Sequence, residues 1–386
     1  MIILQVLFWI ALSGFAITYI LYPLLMLALP AKKKRLVLPD ELPTVAILFA
    51  AYNEEAVLED KLNSLINLDY PLDKLEIWVG SDNSTDKTNQ ILKQFAQKHS
   101  QLHYQIFPGR TGKSGILNAL KNQITTDYLV PTDANIIFET ATLKTLLASA
   151  TVSKAQACGG HIIYTDVHNQ GIAKQENTYL NIENRIKKAE SDYFGLAMGL
   201  EGGCYLIKRE FFPEIPPLFF MEDFYVTMYL LKQGHRISFE PLARVYEDVS
   251  TQPDEEYKRK IRISIGNFQN LGTFFDLIFT KAFPLGFAFL CHKVLRWLSP
   301  FFLIILFFTS PYMVITAPFY GIFAGVFYIT LALGLLGIAL ASKPGMVVLK
   351  YPGHFLYMNL ALLQGFIKYL QGVRSNAWQP TKRNQS

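Results

Sequence analysis

The chain has 386 residues, of which 51% are hydrophobic and only 17% charged, a more apolar balance than a soluble protein of this length needs. That composition excludes extended disorder. Three distant cysteines, Cys158, Cys204 and Cys291, with no Cys-x-x-Cys pair, exclude a disulfide scaffold and a zinc site, and a scattered net charge of +5 gives no reason to expect nucleic acid.

Residues 1–30 contain no charged side chain and are followed by Lys32-Lys33-Lys34-Arg35. The run exceeds the ~20 residues a spanning helix needs, and a basic cluster behind it rather than before it opposes a cleaved secretory signal. The positive-inside rule places residues 32–35 in the cytoplasm and the N-terminus outside.

From 43 to 265 the composition becomes that of a soluble domain. TVAILFAA (44–51), LEIWVGS (75–81), LHYQIF (102–107) and YLVPTD (128–133) read as strands, while 55–67, 85–99 and 114–123 carry apolar residues at helical spacing. Strands that are apolar on both faces and separated by helices indicate parallel β-α-β units. Such α/β sheets bind ligands beyond the carboxyl ends of their strands.

Residues 266–298 form an amphipathic interfacial region that includes His292, Lys293 and Arg296 among apolar neighbours. In 299–372, expected to hold the C-terminal transmembrane helices, the segments 297–316 and 319–341 read as spans. The stretch 354–372, with Asn359, Gln364, Gly365 and Lys368, lies in the interface or re-enters. Three spans leave the basic tail 373–386, with Lys382 and Arg383, in the cytoplasm.

Polar clusters stand at the ends of the predicted strands. Ala50-Ala51-Tyr52-Asn53-Glu54-Glu55 follows the first, Ser81-Asp82-Asn83-Ser84-Thr85-Asp86 the second and Thr132-Asp133-Ala134-Asn135 the fourth. Any one of them could be a helix N-cap, and Asp86 reads as a helix start; all three at one sheet edge read as a ligand site. The first turn lacks Gly-x-Gly-x-x-Gly, against a dinucleotide site. Gly109-Arg110-Thr111-Gly112-Lys113-Ser114 imitates a P-loop, but Phe107 stands where that pattern needs its first glycine. His161 and His168 have no matching carboxylates and read as structural.

Taken with Lys113-Ser114-Gly115-Ile116-Leu117-Asn118, these clusters resemble the family 2 glycosyltransferases, in particular the membrane-bound branch of the cellulose, hyaluronan and poly-N-acetylglucosamine synthases. The resemblance runs over nearly the whole chain. It implies a GT-A fold, a Rossmann-like and mostly parallel sheet, with transmembrane helices at both ends. It assigns Met221-Glu222-Asp223 to the acidic pair that supplies the catalytic base, with Asp223 as that base, and Gly202-Gly203 to the acceptor side. Ala50, Tyr52, Glu54 and Asp82 are implied around the nucleotide, Asp82 on the uracil edge, and Lys113 near the nucleotide or diphosphate. Asp133 and Asn135 are implied to hold Mg²⁺ or Mn²⁺, and Arg259 and Arg262 to bind the phosphates. Trp378 to Arg383 resembles a short C-terminal motif of some members.

Two departures stand out. Asn135 replaces the second acid of Asp-x-Asp, which weakens the metal site without removing its oxygen ligand. Of the Gln-x-x-Arg-Trp element only Arg262 remains, with Arg259 and Ile263 at the flanking positions, so an aromatic face for a growing sugar chain is missing. One base and no nucleophile imply direct displacement with inversion. The expectation is an inverting, metal-dependent transferase moving a sugar from a nucleotide donor, foremost a UDP-sugar, to a lipid-linked or saccharide acceptor. It would work at the cytoplasmic face of the inner membrane, in envelope or exopolysaccharide synthesis, as a multi-pass protein in contact with membrane lipid. The alternatives are a processive polysaccharide synthase and a catalytically inactive nucleotide-sugar-binding subunit.

Overall fold

The structure is a computed structural model and describes residues 1–32, 34–165, 172–248, 253–340 and 347–373. Lys33, His168 and the motif at 378–383 lie outside the described residues. The chain divides into two compact units, one built from Met26–Glu255 and the other from Met1–Leu25 and Glu256–Gly372.

The first unit is organised by an eight-stranded sheet in the order β3-β2-β1-β4-β7-β6-β8-β5. Its strands are β1 (Val45–Ala51), β2 (Leu75–Ser81), β3 (Leu102–Ile106), β4 (Tyr128–Pro131), β5 (Ile136–Phe138), β6 (Ala157–Thr165), β7 (Tyr205–Lys208) and β8 (Ile237–Asp248). The first four are parallel, as the sequence predicts, and are connected through the helices Leu58–Ile66, Thr88–Lys98 and Lys113–Lys121. Every residue of β1 is buried, because helices cover both faces of a parallel sheet. The other half is mixed: β7 runs antiparallel to β4 and β6, β6 is parallel to β8, and β5 is antiparallel to β8.

The chain moves outward from β1 to β2 and β3, then returns to add β4 on the other side of β1. That reversal opens a crevice at the carboxyl ends of these strands. The residues after β1, β2, β3 and β4 therefore share one edge, although each short segment is far from the others in sequence.

Ile2–Ala28, which belongs to the second unit up to Leu25, and Pro318–Ala339 are each long and apolar enough to cross a membrane. The predicted span at 297–316 differs: its helix, Ser299–Met313, is short, and meets Ala282–Trp297 at a 62° bend. The pair makes a third span only if it is counted as one broken helix. The region 354–372 is covered up to Leu370 by one helix, Val347–Leu370.

Close packing in this unit rests on small residues, as is usual where lipid offers no hydrophobic drive between helices. A Cβ on Gly14 would come 2.5 Å from the Phe302 ring, and one on Gly337 would come 2.2 Å from the Leu349 carbonyl. The helix Pro253–Phe274 belongs here from Glu256 onward, so the division falls before the expected limit at 265. The reason is local: Ser264 Oγ donates to the Leu362 carbonyl at 2.8 Å, and Gly365 leaves the space Ser264 fills.

Gly80, near the end of β2, admits Ile116 from the helix that begins at Lys113; a Cβ there would stand 2.2 Å from Ile116 Cγ2. Gly80→Ala should therefore destabilise the sheet unit by about 1–3 kcal/mol, read as a lowered urea midpoint, with Ile116→Ala restoring part of the loss in the double variant.

Candidate active site

The sheet edge is assembled from loops that tie to one another through their own polar groups. After β1, Asn53 takes a left-handed conformation at φ 53° and accepts the Thr85 N–H at 2.8 Å. Asp86 accepts the Glu55 and Thr88 N–H groups, at 3.0 and 2.9 Å, and so joins the loop after β1 to the start of the helix Thr88–Lys98. Ala50 lies near the end of buried β1, and Glu54 N–H is held by Thr88 Oγ1 at 2.9 Å.

Asp82, directly after β2, is fully buried. Its carboxylate accepts N–H groups from Thr111 at 2.5 Å and Gly112 at 3.2 Å, and the Arg110 Nε–H at 3.0 Å. Asp82 thus clamps the 110–112 loop, and Arg110 is the outward group: its guanidinium lies 3.3 Å from the centre of the Tyr52 ring. Arg110 is absent from the sequence-derived site. Its signal was its place after β3, at the same edge, in the segment that fails as a P-loop.

Gly112 has φ +79°, which a side chain would strain, and it starts the helix Lys113–Lys121. That turn delivers Lys113 between two acids. Its ammonium is 2.6 Å from Asp133 Oδ1 and in direct contact with Glu222 Oε1. Burial acts to lower its pKa, but Asp133 and Glu222 outweigh burial and raise it, so Lys113 stays charged.

Met221 is also left-handed, at φ 53° and ψ 50°, a conformation that costs a non-glycine residue roughly 1–2 kcal/mol. It turns the chain so that Glu222 and Asp223 open a helix side by side but face different partners. Glu222 is taken by Lys113. Asp223 accepts the Gly202 N–H at 2.8 Å and the Phe224 N–H at 2.7 Å. Burial, then the negative charge of Glu222, push its pKa up to about 7, against the opposing pull of Lys113 and the two N–H groups.

Gly202 keeps the cleft open where these groups meet. A Cβ there would come 3.3 Å from both Asp223 Oδ2 and Lys113 Nζ. Gly203 is hemmed in instead by Ile136 and Ile162, at about 3 Å from its would-be Cβ.

Asp133 and Asn135 lie after β4. The Asp133 carboxylate is 40% exposed, and Asn135 donates through Nδ2 to Glu247 Oε1 at 3.0 Å, a bond that does not use its carbonyl oxygen. No cluster of three His, Cys, Asp or Glu side chains suited to a metal occurs among the described residues. One carboxylate and one amide oxygen suit a hard divalent cation that takes its remaining ligands from phosphate and water.

The structure thus brings Asp82, Lys113, Asp133, Gly202, Glu222 and Asp223 to one edge, with Tyr52 joined through Arg110. Arg259 and Arg262 are on the helix Pro253–Phe274 of the other unit, where Arg259 lies 3.6 Å from Glu256. His161 is half-buried on β6, and burial lowers its pKa.

The model of the family described as "Glycosyl transferase family 2" matches residues 46–215. Those residues are a glycosyl transferase family 2 domain. The domain has the GT-A fold: a mannosyltransferase from Pyrobaculum calidifontis, solved in complex with GDP-Man and Mn²⁺, superposes with a TM-score of 0.66 over 94% of this chain and 99% of its own, at 21% identity. A beta-monoglucosyldiacylglycerol synthase from a Nostoc species is 46% identical over 79 residues, 20% of this chain and 17% of its own length. A poly-beta-1,6-N-acetyl-D-glucosamine synthase from Staphylococcus aureus is 26% identical over 251 residues, 64% of this chain and 60% of its own length. The chain spans no more than 60% of these two relatives.

Asp223 binds its proton more tightly folded than unfolded, where the ordinary value is 3.8. Its contribution to stability is therefore fully present below about pH 4 and lost as the pH rises through about 7. Thermal unfolding of Asp223→Asn and the parent across this range should show the variant gaining in relative Tm as pH rises, then levelling. A pH-independent difference would remove the assignment.

Proposed function

We propose that this chain is an inverting glycosyltransferase that carries a sugar from a nucleoside diphosphate donor, foremost a UDP-sugar, to a lipid-linked acceptor at the cytoplasmic membrane face. One observation carries the reading: Asp223, with its pKa pushed up to about 7, beside Lys113 and Asp133 at the mouth of a GT-A crevice.

A general base works best when its pKa is close to the working pH. Asp223 would take the proton of the acceptor hydroxyl as that oxygen attacks the anomeric carbon, and the bond from that carbon to the diphosphate oxygen breaks on the opposite side. No second carboxylate is required as a nucleophile, so the configuration inverts. Glu222 supplies the negative neighbour that keeps Asp223 basic, and Lys113 holds Glu222 in an ion pair.

The leaving diphosphate gains charge as the bond breaks. The Lys113 ammonium is the fixed positive group for it, already balanced by Asp133 and Glu222. Asp133 and the Asn135 carbonyl would hold Mg²⁺ or Mn²⁺, which neutralises diphosphate charge when bound. Tyr52 and Arg110 offer a flat, stacked face for the nucleobase, with Ala50 and Glu54 beside it and Asp82 holding the loop beneath. Gly202 leaves room for the acceptor, and Gly203 belongs to the acceptor side from the family register. Arg259 and Arg262 belong to the same reading as phosphate ligands, from the family register alone.

Three features favour a lipid-linked acceptor over a growing polysaccharide. The chain has apolar helices of spanning length, it lacks the aromatic residue at Ile263, and part of it is similar to a glycolipid synthase. The helices would anchor a multi-pass inner-membrane protein with its sheet unit in the cytoplasm.

Full-length protein in detergent, given a panel of UDP- and GDP-sugars with Mn²⁺, should release the nucleoside diphosphate from one of them, and EDTA should suppress the release. Asp223→Asn should lower turnover by about 10²–10⁴-fold while UDP affinity stays near the parent's. The parent rate should rise with pH and level above about pH 7, because the base acts deprotonated. Wild-type turnover in Asp223→Asn would defeat the base assignment. Product mass separates the two acceptor classes: a single added sugar supports the proposal, and a ladder of sugars supports the polymerase.

A further inference from the structure

Beneath the site lies a lysine that none of these roles uses. Lys61, on the helix Leu58–Ile66, is fully buried. Its ammonium donates to Thr132 Oγ1 at 3.1 Å and to the Ile136 carbonyl at 2.6 Å. It sits 4.4 Å from the centre of the Phe138 ring and 5.5 Å from that of Phe49. Among the described residues it forms no ion pair.

The two acceptors bracket the segment that carries Asp133 and Asn135. Thr132 precedes Asp133, and Ile136 follows Asn135. The Thr132 hydroxyl then donates onward to the Gly203 carbonyl at 2.8 Å. Gly203 adjoins Gly202, whose N–H is bound by Asp223. A continuous path of hydrogen bonds therefore runs from Lys61 through Thr132 to the acceptor-side glycines, while a second arm fixes the far end of the Asp133 loop.

We infer that Lys61 is a positioning residue: its buried ammonium pins both ends of the 132–136 loop and, through Thr132, sets the spacing between the diphosphate side at Asp133 and the base side at Asp223. The inference rests on the proposed function, because it gives Asp133 and Asp223 the roles assigned there.

Energetics separates this role from a stabilising one. An ammonium taken out of water with two neutral acceptors and two rings loses more hydration than those contacts return. In agreement, burial drives the Lys61 pKa well below its ordinary value, against the smaller opposing influence of Asp133. Replacing it by an apolar side chain of similar length removes that hydration penalty, which offsets the loss of its two hydrogen bonds. Lys61 thus contributes geometry rather than stability.

The test uses full-length Lys61→Met in detergent, with UDP as the probe. Thermal unfolding and calorimetric UDP titrations, with Mn²⁺ and with EDTA, are compared with the parent. The expected result is an unchanged or raised Tm together with a loss of about 10–100-fold in Mn²⁺-supported UDP affinity, the range seen when a group orienting a ligand is removed. Affinity in EDTA should match the parent's. A purely structural lysine would instead lower Tm and leave the Mn²⁺-supported affinity of the folded fraction intact, and that outcome overturns the inference. If Lys61→Met does not fold, Thr132→Val, which removes the hydroxyl link to Gly203, decides: a severalfold loss confined to the Mn²⁺ titration supports the inference, and parental affinity overturns it. A parent that binds no UDP with Mn²⁺ defeats the proposed function and this inference with it; a parent that binds and a Lys61→Met that binds equally defeats the inference alone.

Discussion

The site depends on one ammonium held between two carboxylates. Lys113 contacts Asp133 and Glu222 from the first residue of its helix, and it must be charged for either contact to be favourable. Without it, three acids, Asp133, Glu222 and Asp223, would be gathered at one strand edge with no counter-charge, and like charges at such range force at least one to take up a proton. With it, the pressure falls on Asp223, whose two N–H partners do not fully offset burial and the Glu222 charge.

This arrangement divides a pair of adjacent acids into two different groups. Glu222 is engaged by Lys113 in an ion pair, and Asp223 is left with a carboxyl whose proton is exchangeable near neutrality. The division is made by direction: the left-handed turn at Met221 starts the helix so that consecutive side chains diverge. Gly202 completes it by letting main chain approach Asp223 without a side chain in the way. Stability is given up locally for this, at a strained methionine and at a carboxyl that resists ionisation. The fully buried strand β1 and the largely buried β2 beside the site supply the rigid frame that holds such strain.

In the membrane-type unit the dominant constraint is contact distance rather than charge. Gly14, Gly337, Gly353 and Gly365 each mark a place where a neighbouring helix or ring sits too close for a Cβ. A polar link is buried there too, from Tyr19 to Ser299 to Asn359, at 3.3 and 2.6 Å. Asn359 weakens the membrane signal of its segment; in the structure its amide is satisfied by Ser299 and the Phe355 carbonyl.

The sequence alone determined the parallel half of the sheet and the edge where polar residues collect, because apolar runs of strand length and helical periodicity are local signals that burial on both faces makes strong. It also determined which acids and glycines belong together, through motif order. It did not reveal the mixed half of the sheet, since β5 and β7 are only three and four residues long and owe their pairing to distant strands. Nor could it show that Asp82 clamps a loop while Arg110 lies on Tyr52, or that Lys61 is a buried tie under the Asp133 loop. In sequence Lys61 is one more lysine among charged helix residues, and its burial follows only from how that helix packs against β5. Which partner each charge meets, and therefore which acid is held in an ion pair and which can accept a proton, is a property of positions separated by 20 residues, from Lys113 to Asp133, up to 109, from Lys113 to Glu222, and only the tertiary structure decides it.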